Sequence, residues 1–209
     1  MAKKLNTNSN LYIIIYAALM VVIVAFLLAF VSKALQKKSD ANVAIDKKAQ
    51  ILASLNLRNI DKDQVEAKYA EVVLKEDVSG KTPIYICKVE GQTKYVVPVS
   101  GMGLWGGIWG YVGVNEDRNT VYGAYFSHQS ETAGLGALIA DQPFQDQFKG
   151  KKIFGENGEV ALSVVKVGKK VDGLSDDSRC DAITGATLTS DGVDQMLKDC
   201  LGKIEELKD

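Results

Sequence analysis

The chain has 209 residues, and its 25 basic and 26 acidic side chains nearly balance, giving a formal net charge of −1. A nucleic-acid-binding domain needs a basic face, so this balance argues against a nucleic-acid partner. The sequence has one histidine and three widely spaced cysteines without a CxxC pair, which argues against a zinc or iron–sulfur site. Cys87 and Cys200 fall at apolar positions and are predicted to be buried. For Cys180, a disulfide remains an alternative in an oxidising compartment.

Leu11 to Val31 is an apolar run of 21 residues that has no charged residue, glycine or proline. As a helix it would be roughly 31 Å long, enough to cross a hydrocarbon core of about 30 Å. A cleaved signal peptide is the alternative, but its apolar region is normally about 7–15 residues long. The segment Ser32–Ala34 is also a poor cleavage site, because Lys33 interrupts the small residues. The run therefore predicts a retained transmembrane helix after a short N-terminus at 1–10.

The residues that follow the apolar run are predicted to lead into a single folded domain. Residues 32–50 are polar and charged, which indicates a linker or a helical extension, and the domain is assigned to 51–209. Apolar spacing over 45–74 predicts two short helices with a break near Asn59. Lysines stand on both sides of the apolar run, so charge alone does not give the orientation of the chain in a membrane.

The remaining elements indicate an α+β fold. Runs of apolar and β-branched residues predict strands at Ile84–Val89, Lys94–Val99, Ile108–Val114, Thr120–Phe126 and Val160–Val167. A helix is predicted around Leu138–Phe148, and an amphipathic C-terminal helix has apolar residues spaced from Val193 to Leu207. Antiparallel strands with helices at the ends form one domain of the α+β class.

The segment Asp181–Ser190, DAITGATLTS, places small residues and hydroxyl side chains directly before the C-terminal helix. Thr189 and Ser190 are predicted as N-cap residues of that helix. Free N–H groups and the positive dipole end of a helix N-terminus favour an anion, most often phosphate. Gly185 and Ala186 lack bulk, so a large ligand could approach the backbone there. On the pattern alone, an ordinary capped loop before a core helix is the more common explanation.

A second candidate is the turn Glu131–Gly136, ETAGLG. Thr132 offers a hydroxyl, Leu135 offers an apolar surface for a ring, and the glycines allow close approach. The alternative is a plain glycine-rich turn before a helix.

Several aromatic and polar residues are weaker candidates. Leu104, Trp105 and Trp109 lie in a glycine-dense strip, where they could stack on a ring, contact a partner or belong to the core. His128 is the single histidine and, at the end of a strand, is more often structural than functional. Lys166 could supply charge near a phosphate, but such a lysine usually lies on the solvated face of an edge strand.

Four blocks of sequence resemble a known family. Thr184–Thr187, TGAT, resembles the Ser/Thr-Gly-Ala-Thr flavinylation motif of the FMN-binding domain family, which includes the C subunit of the Na+-translocating NADH:quinone reductase and the G subunit of the Rnf complex. GMGLWGGIWGY at 101–111, HQSETAGLG at 128–136 and FQDQFKGKKI at 144–153 resemble the reductase branch of the family in the same order. With the single N-terminal apolar run, the likeness extends over nearly the whole chain.

The resemblance implies a covalent cofactor, FMN, joined through a phosphoester to Thr187. Ala133 stands where the family often has Pro, and Thr184 stands where Ser is common. The other residues that the resemblance implies as flavin contacts are Thr184, Gly185, Ala186, Leu188 and Thr189 of the motif, Glu131, Thr132, Gly134, Leu135 and Gly136 of the turn, and Leu104 and Trp105. The resemblance implies no catalytic side chain and no metal ligand, because the flavin supplies the redox chemistry.

The resemblance also implies a place in a larger assembly. Within a multisubunit membrane complex the chain would relay electrons from NADH to quinone, a reaction coupled to Na+ export. It has no glycine-rich turn joining a strand to a helix in a βαβ unit, so NADH itself would bind another subunit. A separate flavin transferase, using FAD and a divalent metal, would attach the flavin. The domain would face the outside of the cytoplasmic membrane.

Two alternatives are retained. The nearer is the Rnf-type G subunit, an ion-translocating ferredoxin:NAD oxidoreductase component that has the same flavin motif, although GLWGGIWGY at 103–111 favours the reductase branch. The other is a membrane-anchored interaction module without redox work, which would leave the ordered motif blocks unexplained.

Overall fold

The computed structural model describes residue 7 and residues 9–78 and 83–202. The chain divides into two compact units, Met1–Ala44 and Ile45–Asp209. Most of the predicted N-terminus at 1–10 lies outside the described residues, as do Ile204 and Leu207 of the predicted C-terminal helix.

The first element, α1, is one continuous helix from Asn10 to Ser54. It contains the predicted membrane span, has no buried residue in its most apolar window, and is long and apolar enough to cross a membrane. The segment 32–50 is helical throughout, and the first of the two short helices predicted in 45–74 is the end of α1, so the prediction of a separate helix there was wrong. No glycine or proline occurs between residues 10 and 54, so nothing in the sequence interrupts the helix.

The end of α1 is a Schellman turn. Asn56 has a positive φ of 60°, and its N–H bonds to the carbonyl of Ala53 at 3.0 Å. The N–H of Leu57 bonds to the carbonyl of Leu52, also at 3.0 Å. Asparagine tolerates the left-handed conformation that this motif requires. The predicted break before the next helix therefore exists, with α2 spanning Lys62–Val72.

A five-stranded antiparallel sheet follows, with its strands in chain order. The strands are β1 Val73–Asp77, β2 Ile84–Val89, β3 Gln92–Met102, β4 Gly107–Val114 and β5 Val121–His128. β1 was not predicted, since Val72 and Val73 were assigned to a helix. The other four strands match the predictions to within three residues at each end, and the α+β fold is confirmed.

The C-terminal part adds short elements and one long helix. A 3-10 helix at Gly136–Ala140 and α3 at Gln142–Asp146 replace the single helix predicted around 138–148. Pro143 lies in the first turn of α3, a position that proline favours, and it separates the two pieces. The last elements are β6 Ser163–Val165, β7 Arg179–Asp181 and α4 Thr187–Leu201. β6 lies within the strand predicted at 160–167 but is shorter, and it pairs in parallel with β7, whereas antiparallel pairing was predicted.

Apolar side chains pack on both faces of the sheet, because successive strand residues point to opposite sides. On one face α4 packs Val193, Met196, Leu197 and Leu201 into a cluster that includes Val97, Val112 and Phe126. On the other face Ile51, Leu52 and Leu55 at the end of α1 join Val65 of α2, Val96 and Tyr111. The second face thus holds the end of α1 to the sheet, and the first face holds α4 and its N-terminus.

Candidate functional site

The N-terminus of α4 lies at least three residues earlier than predicted. The helix begins at Thr187, and its N-cap residue is Ala186, which makes no side-chain capping bond. The prediction that Thr189 and Ser190 cap the helix was wrong. Gly185 has a positive φ of 83°, which turns the chain just before the cap and lets the helix start at once.

The segment 184–190 has four hydroxyl side chains, of which two are exposed and two are buried. Thr184 and Thr187 are exposed. Thr189 is 2% exposed, and the Ser190 hydroxyl is buried, donating to the carbonyl of Ala186 at 2.9 Å and accepting from the N–H of Ile183 at 3.1 Å. Within the motif only Thr184 and Thr187 therefore present a hydroxyl to a large reagent, and Thr187 is the one at the start of the helix.

The first turn of α4 also offers backbone donors. The N–H groups of Thr187, Leu188 and Thr189 have no acceptor in the part of the chain that the structure describes. These free donors lie at the positive end of a helix of 15 residues. The arrangement suits a phosphoryl group attached at Thr187.

Glu131 connects three segments that are far apart in the sequence. Its Oε1 accepts the backbone N–H of Trp105 at 2.8 Å, and its Oε2 accepts the Thr189 hydroxyl at 2.6 Å. The backbone N–H of Glu131 in turn donates to Nδ1 of His128 at 3.2 Å. The glycine-dense strip, the ETAGLG turn and the TGAT helix thus meet at the carboxylate of Glu131, a residue that is 7% exposed.

The Glu131 carboxylate is ionised at neutral pH. Burial alone would raise its pKa, but hydrogen bonds from the Thr189 hydroxyl and from the backbone N–H groups of Trp105 and Gly106 outweigh burial, with a further contribution from His128. The pKa of Glu131 consequently lies below its ordinary value. A buried charge with three donors is an anchoring group, because moving any donor away would leave the charge less well satisfied.

Glycines allow the close packing around this carboxylate. A Cβ on Gly136 would lie 2.6 Å from Oε2 of Glu131 and still closer to Oγ1 of Thr189. A Cβ on Gly103 would lie 2.6 Å from Oε1 of Glu131. On the outer side of the turn, a Cβ on Gly185 would lie 3.1 Å from Cδ2 of Leu135, so the ETAGLG turn and the TGAT motif are also neighbours at the surface.

Large apolar side chains of the three segments are exposed to solvent. They are Leu104 at 47%, Trp105 at 67%, Leu135 at 41% and Leu188 at 61%. Thr132 and Gly134 are exposed in the same turn, and Gly134 has a positive φ of 74°. Ala186 is buried beneath the start of α4. The structure therefore brings together the predicted site residues, some as exposed surface and others as buried support.

Two of the weaker candidates, Trp109 and Lys166, make their hydrogen bonds elsewhere in the domain. The indole N–H of Trp109 donates to Gln50 of α1 at 3.3 Å, and the backbone carbonyl of Lys166 accepts from Arg179 at 3.1 Å. Cys87, Cys180 and Cys200 are free thiols, and burial raises the pKa of Cys180 to about 12. Among the described residues no three His, Cys, Asp or Glu side chains group closely enough to hold a metal ion.

A cavity of about 840 Å³ lies away from this site, between the loops 154–161 and 172–178. None of the residues predicted to contact a flavin lines it. Its position does not support a role in holding a group attached to Thr187, so the exposed surface around the start of α4 remains the candidate site.

Comparison with known proteins gives consistent matches. Residues 103–202 match the family model described as FMN-binding domain. The C subunit of the Na(+)-translocating NADH-quinone reductase from Haemophilus ducreyi is 41% identical over 174 residues, which cover 81% of this chain and 57% of that protein. The protein of the same name from Pasteurella multocida is 35% identical over 166 residues, covering 78% of this chain and 58% of that protein. The chain thus spans little more than half the length of these curated relatives.

Two solved structures have the same fold. The crystal structure of the C subunit of the Na(+)-translocating NADH-quinone reductase from Parabacteroides distasonis is 38% identical, with a TM-score of 0.77, and covers 83% of this chain and 96% of that one. The crystal structure of NqrC from Shewanella oneidensis is 25% identical, with a TM-score of 0.62, and covers 75% of this chain and 91% of that one.

Proposed function

Because this chain belongs to the NqrC family, the C subunits of Na+-translocating NADH-quinone reductases, and has their FMN-binding domain, we propose that it is a covalently flavinylated electron-relay component of such a complex. FMN is attached through a phosphoester to Thr187. The complex oxidises NADH, reduces quinone and exports Na+, and this chain contributes one of its redox steps. NADH binds elsewhere in the assembly, since the described residues include one parallel strand pair, β6 and β7, which no α-helix connects.

One observation supports the attachment site above all others: Thr187 is an exposed hydroxyl at the first residue of a helix whose first three N–H groups have no acceptor among the described residues. A phosphoester keeps one negative charge, which the helix N-terminus stabilises. The neighbouring hydroxyls of Thr189 and Ser190 are buried and hydrogen-bonded, which leaves them out of reach of a transferase.

The exposed apolar side chains fit the rest of the cofactor. Leu135 lies beside Gly185, and Leu188 directly follows Thr187, so both lie next to the attachment point. Trp105 is held to the same site through Glu131 and offers an aromatic face. When bound, the flavin supplies the electron-transfer chemistry, while these side chains orient its ring and shield one face from water.

Attachment requires a flavin transferase. FAD consists of FMN joined to AMP, so transfer of the FMN phosphoryl group to the Thr187 oxygen forms one P–O bond and breaks another. AMP leaves with the bridging oxygen, and the Thr187 hydroxyl loses its proton. The other chains of the complex and this transferase are the protein partners.

The mass of the protein tests the proposal. Chain purified from its native host and denatured is expected to carry the added mass of one FMN less one water, located on the peptide that contains Thr187. Flavin absorbance should stay with the denatured, washed polypeptide. An unmodified mass with no retained absorbance would contradict covalent attachment and leave the interaction-module alternative.

The membrane anchor is a second part of the proposal. The full chain is expected to fractionate with membranes through α1, with the domain outside the cytoplasmic membrane. A fragment that begins near Ser39 is expected to remain in solution, because the long apolar run lies upstream of it. Fractionation checks that the full chain is bound to the membrane and that the fragment is not. N-terminal sequencing checks that the apolar run is retained in the mature chain. A mature N-terminus after Ser32, or full-length chain in the soluble fraction, would reject the anchor.

A further inference from the structure

We infer that Glu131 and Thr189 are positioning residues, which hold the first turn of α4, and with it the flavin on Thr187, in register with the surfaces of Trp105 and Leu135. The inference rests on the proposed function of Thr187. It assigns to the two buried side chains a role that acts through Thr187 and does not require either to touch the flavin.

The two oxygens of Glu131 bind two different segments. Oε1 accepts the N–H of Trp105, 26 residues earlier in the chain, and Oε2 accepts the hydroxyl of Thr189, 58 residues later. A shift of α4 relative to the glycine-dense strip would therefore break one of these bonds. Glu131 and Thr189 are 7% and 2% exposed, so water does not readily replace a lost partner.

Thr189 transmits this constraint to the attachment residue. Thr187 and Thr189 are the first and third residues of α4, and consecutive helical residues rise by about 1.5 Å. Two residues in the same turn cannot move independently of each other without breaking the helix. Fixing the Thr189 hydroxyl on Glu131 consequently fixes the backbone of Thr187.

The surrounding packing prevents Glu131 from adopting another position. Gly136 and Gly103 lie so close to its carboxylate that a Cβ at either residue would overlap with an oxygen. The Thr189 hydroxyl lies against Gly136 in the same way. The pair is therefore a confined contact, and its geometry is set by the three backbones that surround it.

A direct contact between the Glu131 carboxylate and the flavin phosphate is disfavoured. Both groups would be negatively charged, and both Glu131 oxygens already accept hydrogen bonds from the chain. Glu131 was selected from the sequence as a flavin contact. Its carboxylate is instead directed at Thr189 and the strip, which is the geometry of a positioning group.

The test compares Thr189→Val with Thr189→Ser in the full chain, purified with its complex from the native host. Valine keeps the shape of threonine but cannot donate to Glu131, whereas serine keeps the hydroxyl. The measurements are covalent FMN per chain by intact mass, collisional quenching of the attached flavin by iodide, its fluorescence anisotropy, and quinone reduction per attached flavin.

Thr189→Val is expected to keep covalent FMN, to increase iodide quenching of the flavin about twofold and to lower its fluorescence anisotropy. The rate of quinone reduction per flavin should fall by roughly tenfold, because misplacement by about 1 Å can cost as much as 100-fold. Thr189→Ser should match the unaltered chain in all four measurements.

Asn119→Ala provides a control for the loss of side-chain hydrogen bonds, here partly buried ones, elsewhere in the domain. Asn119 accepts the N–H groups of Ile153 at 3.1 Å and Phe154 at 2.7 Å, in the turn between β4 and β5. That turn is at the opposite end of the β4–β5 hairpin from His128, about 25 Å along strands of eight residues. This variant should lose stability without changing quenching, anisotropy or the rate per flavin.

The outcomes separate the inference from the proposed function. If the unaltered chain carries no covalent FMN, the proposed function fails. If the unaltered chain carries FMN, two results would each show that the positioning role is wrong. One is a Thr189→Val chain with unchanged quenching, anisotropy and rate, and the other is a Thr189→Ser chain as impaired as Thr189→Val. Should Thr189→Val not accumulate, Gly136→Ala tests the same pair by forcing the two side chains apart, and unchanged readouts there would equally refute the inference.

Discussion

Thr187→Ala is expected to remove covalent FMN completely and to lower quinone reduction to the background rate of the complex. NADH oxidation by an artificial acceptor at the NADH-oxidising subunit should stay near the unaltered level, because the proposed function assigns hydride acceptance to another subunit. Misplacing a reacting group by about 1 Å can cost roughly 100-fold, so removing its attachment should cost at least that much. The substituted side chain is exposed, and the free energy of unfolding should change by no more than about 0.5 kcal/mol.

Thr184→Ala is the control, since Thr184 is also exposed and lies three residues earlier in the same motif. It should retain covalent FMN. Assembly of the mutant complexes is checked by their protein content before activity is compared. Loss of NADH oxidation with every acceptor in an assembled Thr187→Ala complex would show that the flavin acts at the NADH step. Unchanged quinone reduction would favour a structural role for the domain.

Phe126→Ala is expected to destabilise the domain by about 3–5 kcal/mol, the range for removing a buried aromatic side chain. Phe126 is 0% exposed, and its ring lies 5.0 Å from that of Phe148 and 6.1 Å from that of Phe144. Removing it leaves a cavity between the sheet and α3. Urea unfolding of the fragment that begins near Ser39 measures the change through the midpoint, with the slope held constant.

Leu74→Ala is the comparison for this stability measurement, because Leu74 in β1 is 62% exposed. Its substitution should change the free energy of unfolding by no more than about 0.5 kcal/mol. Equal effects of the two substitutions would contradict the assignment of Phe126 to the core.

Most of the sheet could be predicted because its strands bury one or both faces. Ile84–Val89 has apolar residues at nearly every position and was predicted with its observed bounds. β1, Val73–Asp77, escaped prediction because it is an edge strand whose side chains are mostly exposed and charged. β7 has three residues and exists through its parallel pairing with β6, a contact that local sequence does not encode.

The candidate site, like the sheet, could be predicted from the sequence only in part. Three of the four motif blocks found in the sequence, at 101–111, 128–136 and 184–187, meet at Glu131 in the structure. Which residues of the last block are exposed and which are buried depends on where α4 begins. In a helix that starts at Thr187, residues 187 and 189 point about 200° apart, so one faces solvent when the other faces the core. The capping preference of threonine and serine suggested a later start. The bond between Glu131 and Thr189 joins residues 58 positions apart, which periodicity and local motifs do not report.

The exposure of Thr187 also bears on why the proposed covalent bond would be useful there. A flavin resting on Leu135, Leu188 and Trp105, as proposed, would keep much of its surface in water, and shallow contacts of this kind give modest affinity. A tether raises the effective concentration of the ring at its resting surface to the millimolar range or above. Dilution then cannot release the cofactor, and the surface needs only to orient a ring that is already present. A site open enough to exchange electrons with neighbouring proteins can in this way remain permanently loaded.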